Sequence, residues 1–502
     1  MESTALRQPW RRQGLDPSHG RVGEPMTMVS GETDVLPPGV DGPLGPGVER
    51  VHMVGIGGAG MEGLARLLHD SGYRVTGSDA VDGLVIEDLR RSGVAVFTGH
   101  STAHVRGADL LIYSAAVDES NPERLAAAAA DIEQLRRAQV LGRLSAAQRT
   151  IAVAGTHGKT TTASLIAAVT RAAGCQPTVA IGGWVNGQTQ SASGTGGMMI
   201  VEADEYDRSF LELEPWLAVV TNIETEHVDC YVDDAELVEA FVTFLQRTRP
   251  DGHIVINGDD RLCQQVTRCL SQSPGGPRLT TFGFADECEV HAVGLSSQTG
   301  GATFACVDGD GTRRIRLGIP GRHNVANALA TCAVAQVLSL DPATVTGALA
   351  GFAGVDRRFQ HRGSVGGVCI VDDYAHHPTE VAATLDAARQ QMGKGRLVAV
   401  LQPHTYSRTQ RFHAEFATAL AAADQVWVTA VYAAREDPAD GVESDVIVTG
   451  LRAQGASASW EADTDLALRA ALNGCADGDW LIVMGAGDIG TRLDTLLTQQ
   501  QV

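Results

Sequence analysis

The residues Thr150-Ile-Ala-Val-Ala-Gly155-Thr-His-Gly-Lys159-Thr-Thr-Thr162 decide the fold of this 502-residue chain. The apolar start predicts a strand, the glycines predict a loop, and a helix follows to Ala173, with Gly174 as its cap. In this arrangement backbone amides converge at a helix N-terminus, where they can bind a phosphate group, and the lysine ammonium can neutralise its negative charge. Val153 stands where the Walker A motif has its first glycine, so the match is degenerate. The segment nevertheless predicts a nucleotide-phosphate loop.

The basic residues of the whole chain support this prediction. Of 39 lysines and arginines, only two are lysines, Lys159 and Lys394. A chain that uses arginine almost everywhere is expected to keep lysine where a compact ammonium is needed. Thr160 can also offer a hydroxyl to Mg²⁺. We therefore expect the loop to bind a nucleotide through Gly155, Thr156, His157, Gly158, Lys159, Thr160 and Thr161.

A similar strand, loop and helix precede this segment. The strand Arg50–Val54 leads into Gly55-x-Gly57-x-x-Gly60, a helix runs to Ser71, and a second strand ends at Asp79. Taken alone, this pattern indicates either a dinucleotide, another diphosphate ligand or a purely structural turn. The same pattern recurs at Gly485-x-Gly487-x-x-Gly490, close to the end of the chain, where we interpret it as a turn that packs a helix on a strand.

Composition along the chain predicts an extension and three domains. Residues 1–47 hold 7 of the 18 prolines and no hydrophobic period, so they are expected to be disordered. Alternating strand and helix signals follow in 48–147, 148–350 and 351–502, whereas 271–320 indicates short strands and turns. The fold class is therefore α/β, with three domains and mainly parallel sheets.

Polar residues cluster where predicted strands end or helices begin. Glu202 follows one strand of the middle domain and His227 follows another, and such strand ends are where α/β sheets bind ligands. A carboxylate, a hydroxyl and an imidazole there suit Mg²⁺, although an acidic surface loop is the alternative. Asn324 and Asn327 lie one turn apart at a helix start, where Asn324 could simply be an N-cap. The third domain adds clusters at 357–358, 372–378 and 402–408.

Charge and composition exclude several classes of protein. The formal net charge is −21, which argues against general nucleic-acid binding. No apolar stretch approaches the ~18 residues of a membrane span. The cysteine count is nine, an odd number, and no C-x-x-C pair occurs, which indicates reduced thiols and a cytoplasmic protein. The sequence does not indicate an oligomeric state.

Taken in order, these motifs resemble the Mur ligase family from about residue 49 to 490. The matching segments are G-I-G-G-A-G-M, A-G-T-H-G-K-T-T-T, E-A-D-E-x-D-x-S-F-L, T-N-I-E-x-x-H-x-D, P-G-x-H-N-x-x-N, R-R-F, D-D-Y-A-H-H-P-T-E and Q-P-H-T-Y-S-R-T. The resemblance implies a Rossmann-like first domain, a central P-loop ATPase-like domain and a Rossmann-like third domain. It is strongest to the alanine-adding branch, which implies ATP-dependent ligation of L-alanine to UDP-N-acetylmuramate through an acyl-phosphate.

The resemblance also implies roles for particular residues. Lys159, Glu202 and His227 would be catalytic, and Thr160, Glu202 and His227 would hold Mg²⁺. ATP would also contact Asn324, Asn327, Arg358 and Asp373. The UDP substrate would contact Gly57, Gly58, Ala59, Gly60, Ser114 and Arg137, and L-alanine would contact Tyr374, His376, His404 and Arg408.

Three departures and three alternatives accompany the resemblance. Glu226 stands where the family usually has Asp, and Thr405 is uncharged where some relatives have Arg. No lysine occurs between Lys159 and Lys394, so the carbamylated lysine of most sister ligases is impossible here. The alternatives are a related ligase that recycles a murein peptide, a nicotinamide-dependent oxidoreductase and a catalytically inactive ATP-binding regulator. The segment 402–408 argues against the first, and the intact phosphate loop argues against the third.

Overall fold

The first sheet places the glycine loop 55–60 at its centre. A computed structural model describes residues 38, 42–58, 60–226, 230–271, 275–434, 436–437 and 442–500. The first unit runs β1 (Arg50–Val54), α1 (Met61–Asp70), β2 (Arg74–Asp79), α2 (Leu84–Arg91), β3 (Ala95–Thr98), β4 (Leu110–Tyr113), α3 (Pro122–Ala129), β5 (Glu133–Arg136) and α4 (Arg137–Ala146). All five strands are parallel, in the order β3-β2-β1-β4-β5. The order reverses at β1, so the loop after β1 lies at the crevice where such sheets bind ligands.

The second sheet centres on the strand that feeds the phosphate loop. Its elements are β6 (Arg149–Ala154), α5 (Lys159–Ala172), β7 (Thr178–Ala180), β8 (Trp184–Val185), β9 (Gln188–Thr189), β10 (Met198–Glu202), a 3₁₀ segment (Tyr206–Glu212), β11 (Leu217–Val220), α6 (Asp234–Gln246), β12 (His253–Asn257), α7 (Arg261–Leu270), β13 (Arg278–Gly283), β14 (Val290–Gln298), β15 (Gly301–Asp308), β16 (Gly311–Leu317), α8 (Arg322–Val337) and α9 (Pro342–Gly351). The nine-stranded order is β16-β15-β14-β13-β12-β11-β6-β10-β7, and β8 pairs with β9 separately. Because β10 and β11 flank β6, the chain segments that follow all three strands meet at one edge.

The prediction of only short strands in 271–320 is wrong for the last part of this sheet. β14, β15 and β16 have nine, eight and seven residues and form an antiparallel meander. Gly294 has φ +64 and lies where the register shifts between Val293 and Ser296. This irregularity breaks the alternation of apolar and polar residues by which a strand is recognised in a sequence.

The third sheet carries most of the remaining polar clusters. Its elements are β17 (Gln360–Val365), β18 (Val368–Asp373), α10 (Pro378–Gln391), β19 (Leu397–Leu401), α11 (Tyr406–Leu420), β20 (Gln425–Val428), α12 (Asp445–Ala453), β21 (Ala458–Trp460), α13 (Thr464–Asn473), β22 (Trp480–Met484) and α14 (Ile489–Gln500). The order is β17-β18-β22-β19-β20-β21, parallel except for β17. In the second glycine pattern, at 485–490, a Cβ on Gly490 would lie 2.6 Å from Nε of Arg357. Glycine is therefore needed there for close packing, which agrees with the interpretation of this pattern as a packing turn. The three-domain α/β architecture predicted from the sequence is confirmed.

The predicted disordered extension 1–47 lies mostly outside the described residues, but its last part is ordered. Leu44 is completely buried in the apolar cluster that also contains Val48 and Leu144. The Nη1 of Arg143 donates a 2.7 Å hydrogen bond to the carbonyl oxygen of Leu44. The prediction is therefore wrong for 42–47, because a single apolar side chain among prolines and glycines carries no periodic signal.

Replacing Leu44 with alanine is expected to lower the free energy of unfolding by ~2–5 kcal/mol, because the change leaves a cavity in a packed core. Chemical denaturation of the full chain would measure the effect. Leu84→Ala is the matched control, since the Leu84 side chain is 79% exposed and should change stability by less than ~0.5 kcal/mol. Equal effects of the two substitutions would contradict the packing of Leu44.

Among the described residues, no helix combines the length and the apolar character needed to cross a membrane.

Candidate active site

The phosphate loop is held in a fixed shape by the end of β11. Gly155 and Gly158 have φ values of +125 and +81, which favour glycine. A Cβ on Gly155 would lie 2.2 Å from Oγ1 of Thr221, so the close approach of the loop to Thr221 also requires glycine at this position. The amide of His157 donates to Oδ1 of Asn222 at 2.9 Å, and Oγ1 of Thr221 donates to the carbonyl oxygen of His157 at 2.6 Å. The predicted loop is therefore preorganised at the N-terminus of α5.

Lys159 folds back over this loop. Its Nζ donates to the carbonyl oxygens of Gly155 at 2.7 Å and Thr156 at 3.2 Å, and to Oε2 of Glu205 at 2.7 Å. Burial disfavours the charged form of Lys159. The negative charges of Glu205 and Asp204 outweigh this effect and raise the pKa of Lys159. The ammonium thus remains charged above the phosphate loop. Glu205 lies in one of the motifs of the resemblance, but its local sequence does not indicate that it pairs with Lys159.

Two of the three predicted metal ligands lie together. Oγ1 of Thr160 donates to Oε1 of Glu202 at 2.7 Å, and the amide of Gly182 donates to Oε2 of the same carboxylate at 3.1 Å. A hydroxyl and a carboxylate oxygen beside a phosphate loop are the donors that Mg²⁺ prefers, so these side chains fit the ion. The third predicted ligand, His227, lies outside the described residues.

Seven of the eleven residues predicted to contact the nucleotide line one cavity of about 350 Å³, which extends from the phosphate loop to the third domain. Asn324 is buried at the start of α8, and its Nδ2 donates to the carbonyl oxygen of Pro320 at 2.6 Å. The N-cap of this helix is Gly321, which excludes the simple capping role for Asn324. The predicted residues that line the cavity are His157, Gly158 and Thr161 of the phosphate loop, together with Asn324, Asn327, Arg358 and Asp373.

Asp373 organises the chain beside this cavity. Its carboxylate accepts hydrogen bonds from the amides of Phe359 and Ala375, both at 2.8 Å, and from Oγ1 of Thr384 at 3.1 Å. Burial raises the pKa of Asp373 to about 6, although the neighbouring Arg358 opposes the shift. The carboxylate therefore fixes the strand end that carries the rest of the third-domain cluster.

His157 connects the phosphate loop to helix α10 of the third domain. Its Nε2 lies 3.0 Å from Oε2 of Glu224, and its Nδ1 lies 3.2 Å from Oε1 of Glu380. Burial disfavours the charged ring, but these two carboxylates outweigh it and raise the pKa of His157 to about 10. Oγ1 of Thr379 also donates to Oε1 of Glu224 at 2.7 Å. Glu224 and Glu380 both lie inside motifs of the resemblance, but nothing in their local sequence indicated that they would hold His157.

The four residues predicted to contact the amino acid converge. The ring centroids of Tyr374 and His376 are 5.5 Å apart, and those of His376 and His404 are 5.9 Å apart. Nη1 of Arg408 lies 3.1 Å from Nδ1 of His404. Burial, together with the charges of His376 and Arg408, lowers the pKa of His404 to about 4, so this ring is neutral near pH 7. Nη2 of Arg408 donates to Oε1 of Glu226 at 2.7 Å.

The first sheet brings its predicted residues together as well. The amide of Gly57 donates to Oδ2 of Asp79 at 2.9 Å. A Cβ on Gly60, whose φ is +76, would lie 2.6 Å from Cζ of Arg137, so only glycine admits that guanidinium. Ser114 also lies close to the loop, since a Cβ on Gly55 would be 3.2 Å from its Cβ and a Cβ on Gly58 would be 4.0 Å from its Oγ. Nε of Arg137 is buried with no hydrogen-bond partner among the described residues. Ala59 lies outside the described residues.

Comparison with known proteins agrees with this arrangement. Three family models match the chain in order: the Mur ligase family catalytic domain at 50–149, the Mur ligase middle domain at 153–335 and the Mur ligase glutamate ligase domain at 357–487. A UDP-N-acetylmuramate–L-alanine ligase of Leptothrix cholodnii is 42% identical over 456 residues, covering 88% of this chain and 96% of the relative. One of Thermobifida fusca is 41% identical over 452 residues, covering 88% and 94%.

Solved structures give the same result. The UDP-N-acetylmuramate–alanine ligase of Thermotoga maritima is 28% identical, with a TM-score of 0.76 over 90% of this chain and 99% of that chain. The murein peptide ligase of Psychrobacter arcticus is 25% identical, with a TM-score of 0.66 over 90% and 98%. The family models, the relatives and the site geometry lead to one conclusion: this chain belongs to the Mur ligase family.

Proposed function

We propose that this chain joins L-alanine to the lactyl carboxylate of UDP-N-acetylmuramate at the expense of ATP, a step of peptidoglycan precursor synthesis. The observation that carries the proposal is the cavity that joins the phosphate loop to Arg358 and Asp373, with the cluster around Arg408 on the same side of the third sheet. The relatives at 41–42% identity are named as alanine ligases. Among the solved structures, the alanine ligase has a TM-score of 0.76 and the murein peptide ligase one of 0.66. Because the chain belongs to the Mur ligase family, the alternative that it is a nicotinamide-dependent oxidoreductase is excluded.

The reaction divides into two transfers. The lactyl carboxylate oxygen attacks the γ-phosphorus of ATP, the bond to the β–γ bridging oxygen breaks, and ADP leaves. The amine of L-alanine then attacks the carbonyl carbon of the acyl-phosphate, loses a proton and expels inorganic phosphate. The amide product, ADP, phosphate and the proton released from the nitrogen account for all the atoms.

Lys159 and the loop amides are the groups that act on the first transfer. The Lys159 ammonium neutralises charge that develops on the transferred phosphoryl group, and the amides at the start of α5 orient it. Thr160 and Glu202 would hold Mg²⁺, which would supply further neutralisation of phosphate charge. His157, fixed between Glu224 and Glu380, ties the loop to helix α10 of the third domain and so helps to exclude water from a hydrolysable intermediate.

The second transfer depends on the Arg408 cluster. A guanidinium can form paired hydrogen bonds to the α-carboxylate of the amino acid. The rings of His376 and His404 lie beside that position. The first sheet holds the UDP group at the glycine loop near Arg137. The enzyme would act in the cytoplasm, which agrees with the cysteine pattern of its sequence.

One assay tests the proposed function. Phosphate release from ATP is measured on addition of UDP-N-acetylmuramate with each amino acid in turn, and separately with a murein tripeptide. The expected result is release that requires UDP-N-acetylmuramate and is fastest with L-alanine, with glycine and L-serine slower. Release that requires the tripeptide instead would replace the proposal by the recycling ligase.

Replacing Arg137 with alanine is expected to raise the KM for UDP-N-acetylmuramate by roughly 10- to 100-fold, because a charge-assisted contact to the diphosphate is lost. The KM for ATP should stay within about twofold. Steady-state kinetics with each substrate varied in turn would measure both constants. The neighbouring Arg136→Ala is the matched control, since Arg136 is partly exposed and pairs with Asp207 at 3.4 Å. Parallel changes in both KM values would contradict this assignment.

A further inference from the structure

Two histidines and one glutamate lie together where the phosphate loop meets α10. His157 belongs to the loop, Glu224 follows β11, and His377 is the N-cap of α10. Nε2 of His157 lies 3.0 Å from Oε2 of Glu224, and Nδ1 of His377 lies 3.9 Å from the same oxygen. One ligand atom from each residue lies within 4.8 Å of the other two. Three side chains from two domains thus place donor atoms around one point.

The donor atoms and their spacing suit a zinc ion. Two imidazole nitrogens and one carboxylate oxygen, with a fourth position left open, are the ligands of some catalytic zinc sites. Ligand atoms bonded to one Zn²⁺ at ~2.1 Å lie roughly 3.4 Å apart when the geometry is tetrahedral. The observed separations of 3.0 and 3.9 Å lie on either side of this value. His157 and Glu224 line the nucleotide cavity, so the open position would face that cavity.

The residues behind these side chains hold them as metal ligands are held. A histidine that binds a metal almost always donates its other ring N–H to a carboxylate, a carbonyl oxygen or water. Nδ1 of His157 lies 3.2 Å from Oε1 of Glu380, whose Oε2 accepts the amide of His376 at 3.0 Å. Oε1 of Glu224 accepts from Oγ1 of Thr379 at 2.7 Å, which leaves Oε2 for an ion. Partners on α10 therefore orient the ligand atoms of both residues.

His377 offers a lone pair at this point. Its side chain is only 3% exposed, and its ring packs on Phe412 with the centroids 4.9 Å apart. Burial, together with the charge of His157, lowers the pKa of His377 to about 4, so the ring is neutral near pH 7. Nδ1 accepts a long and therefore weak hydrogen bond of 3.4 Å from the amide of Thr379. Nε2 is buried with no hydrogen-bond partner among the described residues, so the ring makes little use of its polar atoms within the protein.

We propose that His157, Glu224 and His377 form a binding site for an ion of the Zn²⁺ class, distinct from the predicted Mg²⁺ pair of Thr160 and Glu202. The ion would replace the proton between Nε2 of His157 and Glu224, while Nδ1 of the same ring keeps its own proton. It would join the phosphate loop to the start of α10. Mg²⁺ prefers oxygen ligands, so it is not expected at two imidazoles. The site goes beyond the proposed function, because binding requires neither nucleotide nor amino acid.

The test measures Zn²⁺ binding by the full-length chain without nucleotide. Metal is first removed with a chelator, and Zn²⁺ is then titrated in competition with a chromophoric chelator, at millimolar Mg²⁺. We expect wild type to bind one more tight equivalent than His377→Asn or Glu224→Gln. Asparagine retains an N-cap for α10, and glutamine retains the size of the side chain, so both variants should fold. Glu380→Gln should keep the equivalent but weaken its affinity by roughly 10- to 100-fold.

The control is His413→Ala, which removes an exposed histidine of α11 and should keep the wild-type stoichiometry. The nine cysteines are common to wild type and variants, so the difference between them isolates the site. Co²⁺ in place of Zn²⁺ should give a visible absorption band that His377→Asn loses.

Two results would overturn the inference. Equal stoichiometry and affinity in wild type and in the two ligand variants would leave an adventitious ion only. Loss of the wild-type equivalent at millimolar Mg²⁺ would show that the ion occupies a magnesium site instead. Circular dichroism checks the folding of each variant, and His377→Asn decides alone if Glu224→Gln does not fold. Because no reading depends on turnover, this result and the assay of the proposed function can fail independently.

Discussion

Lys159→Ala is expected to lower kcat for alanine-dependent phosphate release by roughly 10³-fold, because the charge that stabilises the phosphoryl group in the transition state is removed. Lys159→Arg should fail as well, since a planar guanidinium cannot replace a compact ammonium that contacts two loop carbonyls and Glu205 at once. The other lysine of the chain provides the matched control. Lys394 is exposed, so Lys394→Ala should keep wild-type activity.

The Lys159 variants require a separate check of folding. Glu205 is buried, and burial raises its pKa to about 7 even though Lys159 opposes the shift. Removing the ammonium leaves this carboxyl without its cation, which costs ~3–5 kcal/mol of stability when it is charged. The double variant Lys159→Ala/Glu205→Gln should recover that stability and remain inactive. Activity of any Lys159 variant within about threefold of wild type would contradict the role of the loop.

Glu202→Gln is expected to lower kcat by roughly 10²- to 10³-fold and to raise the Mg²⁺ concentration needed for half-maximal activity. The amide keeps the size of the side chain and one oxygen, but it removes the charge that faces Thr160. Activity is measured over a Mg²⁺ titration at saturating ATP and UDP-N-acetylmuramate. Partial recovery at high Mg²⁺ distinguishes loss of metal binding from loss of structure.

Glu214→Gln is the control for the Glu202 experiment. Glu214 belongs to the same domain, its side chain is 55% exposed, and it pairs with Arg247 at 3.5 Å. We expect it to leave both the rate and the Mg²⁺ dependence unchanged. A Glu202→Gln enzyme with full activity and wild-type Mg²⁺ dependence would move the metal site away from this carboxylate.

The sequence by itself determined the local parts of this protein. A strand, a glycine loop and a helix are encoded within a dozen residues, so the phosphate loop 155–161 could be predicted with its ligand class. The glycine loop 55–60 could be predicted as a turn between a strand and a helix, but its ligand class was left open by its residues and came only from the family resemblance. The prediction that polar residues at strand ends would meet also followed from general properties of parallel sheets. Asn324, Asn327, Arg358 and Asp373 were assigned by resemblance alone, and they line one cavity.

Only the tertiary structure decided which charges face each other. Arg408 and Glu226 are 182 residues apart, and His157 and Glu380 are 223 apart, so nothing in their local sequence indicates the contact. Arg408 was predicted to bind the carboxylate of the substrate, whereas in the structure it is paired with the carboxylate of Glu226. The reason is physical: local patterns report the backbone, whereas a buried charge is stabilised by whichever opposite charge the packing of two sheets brings within reach.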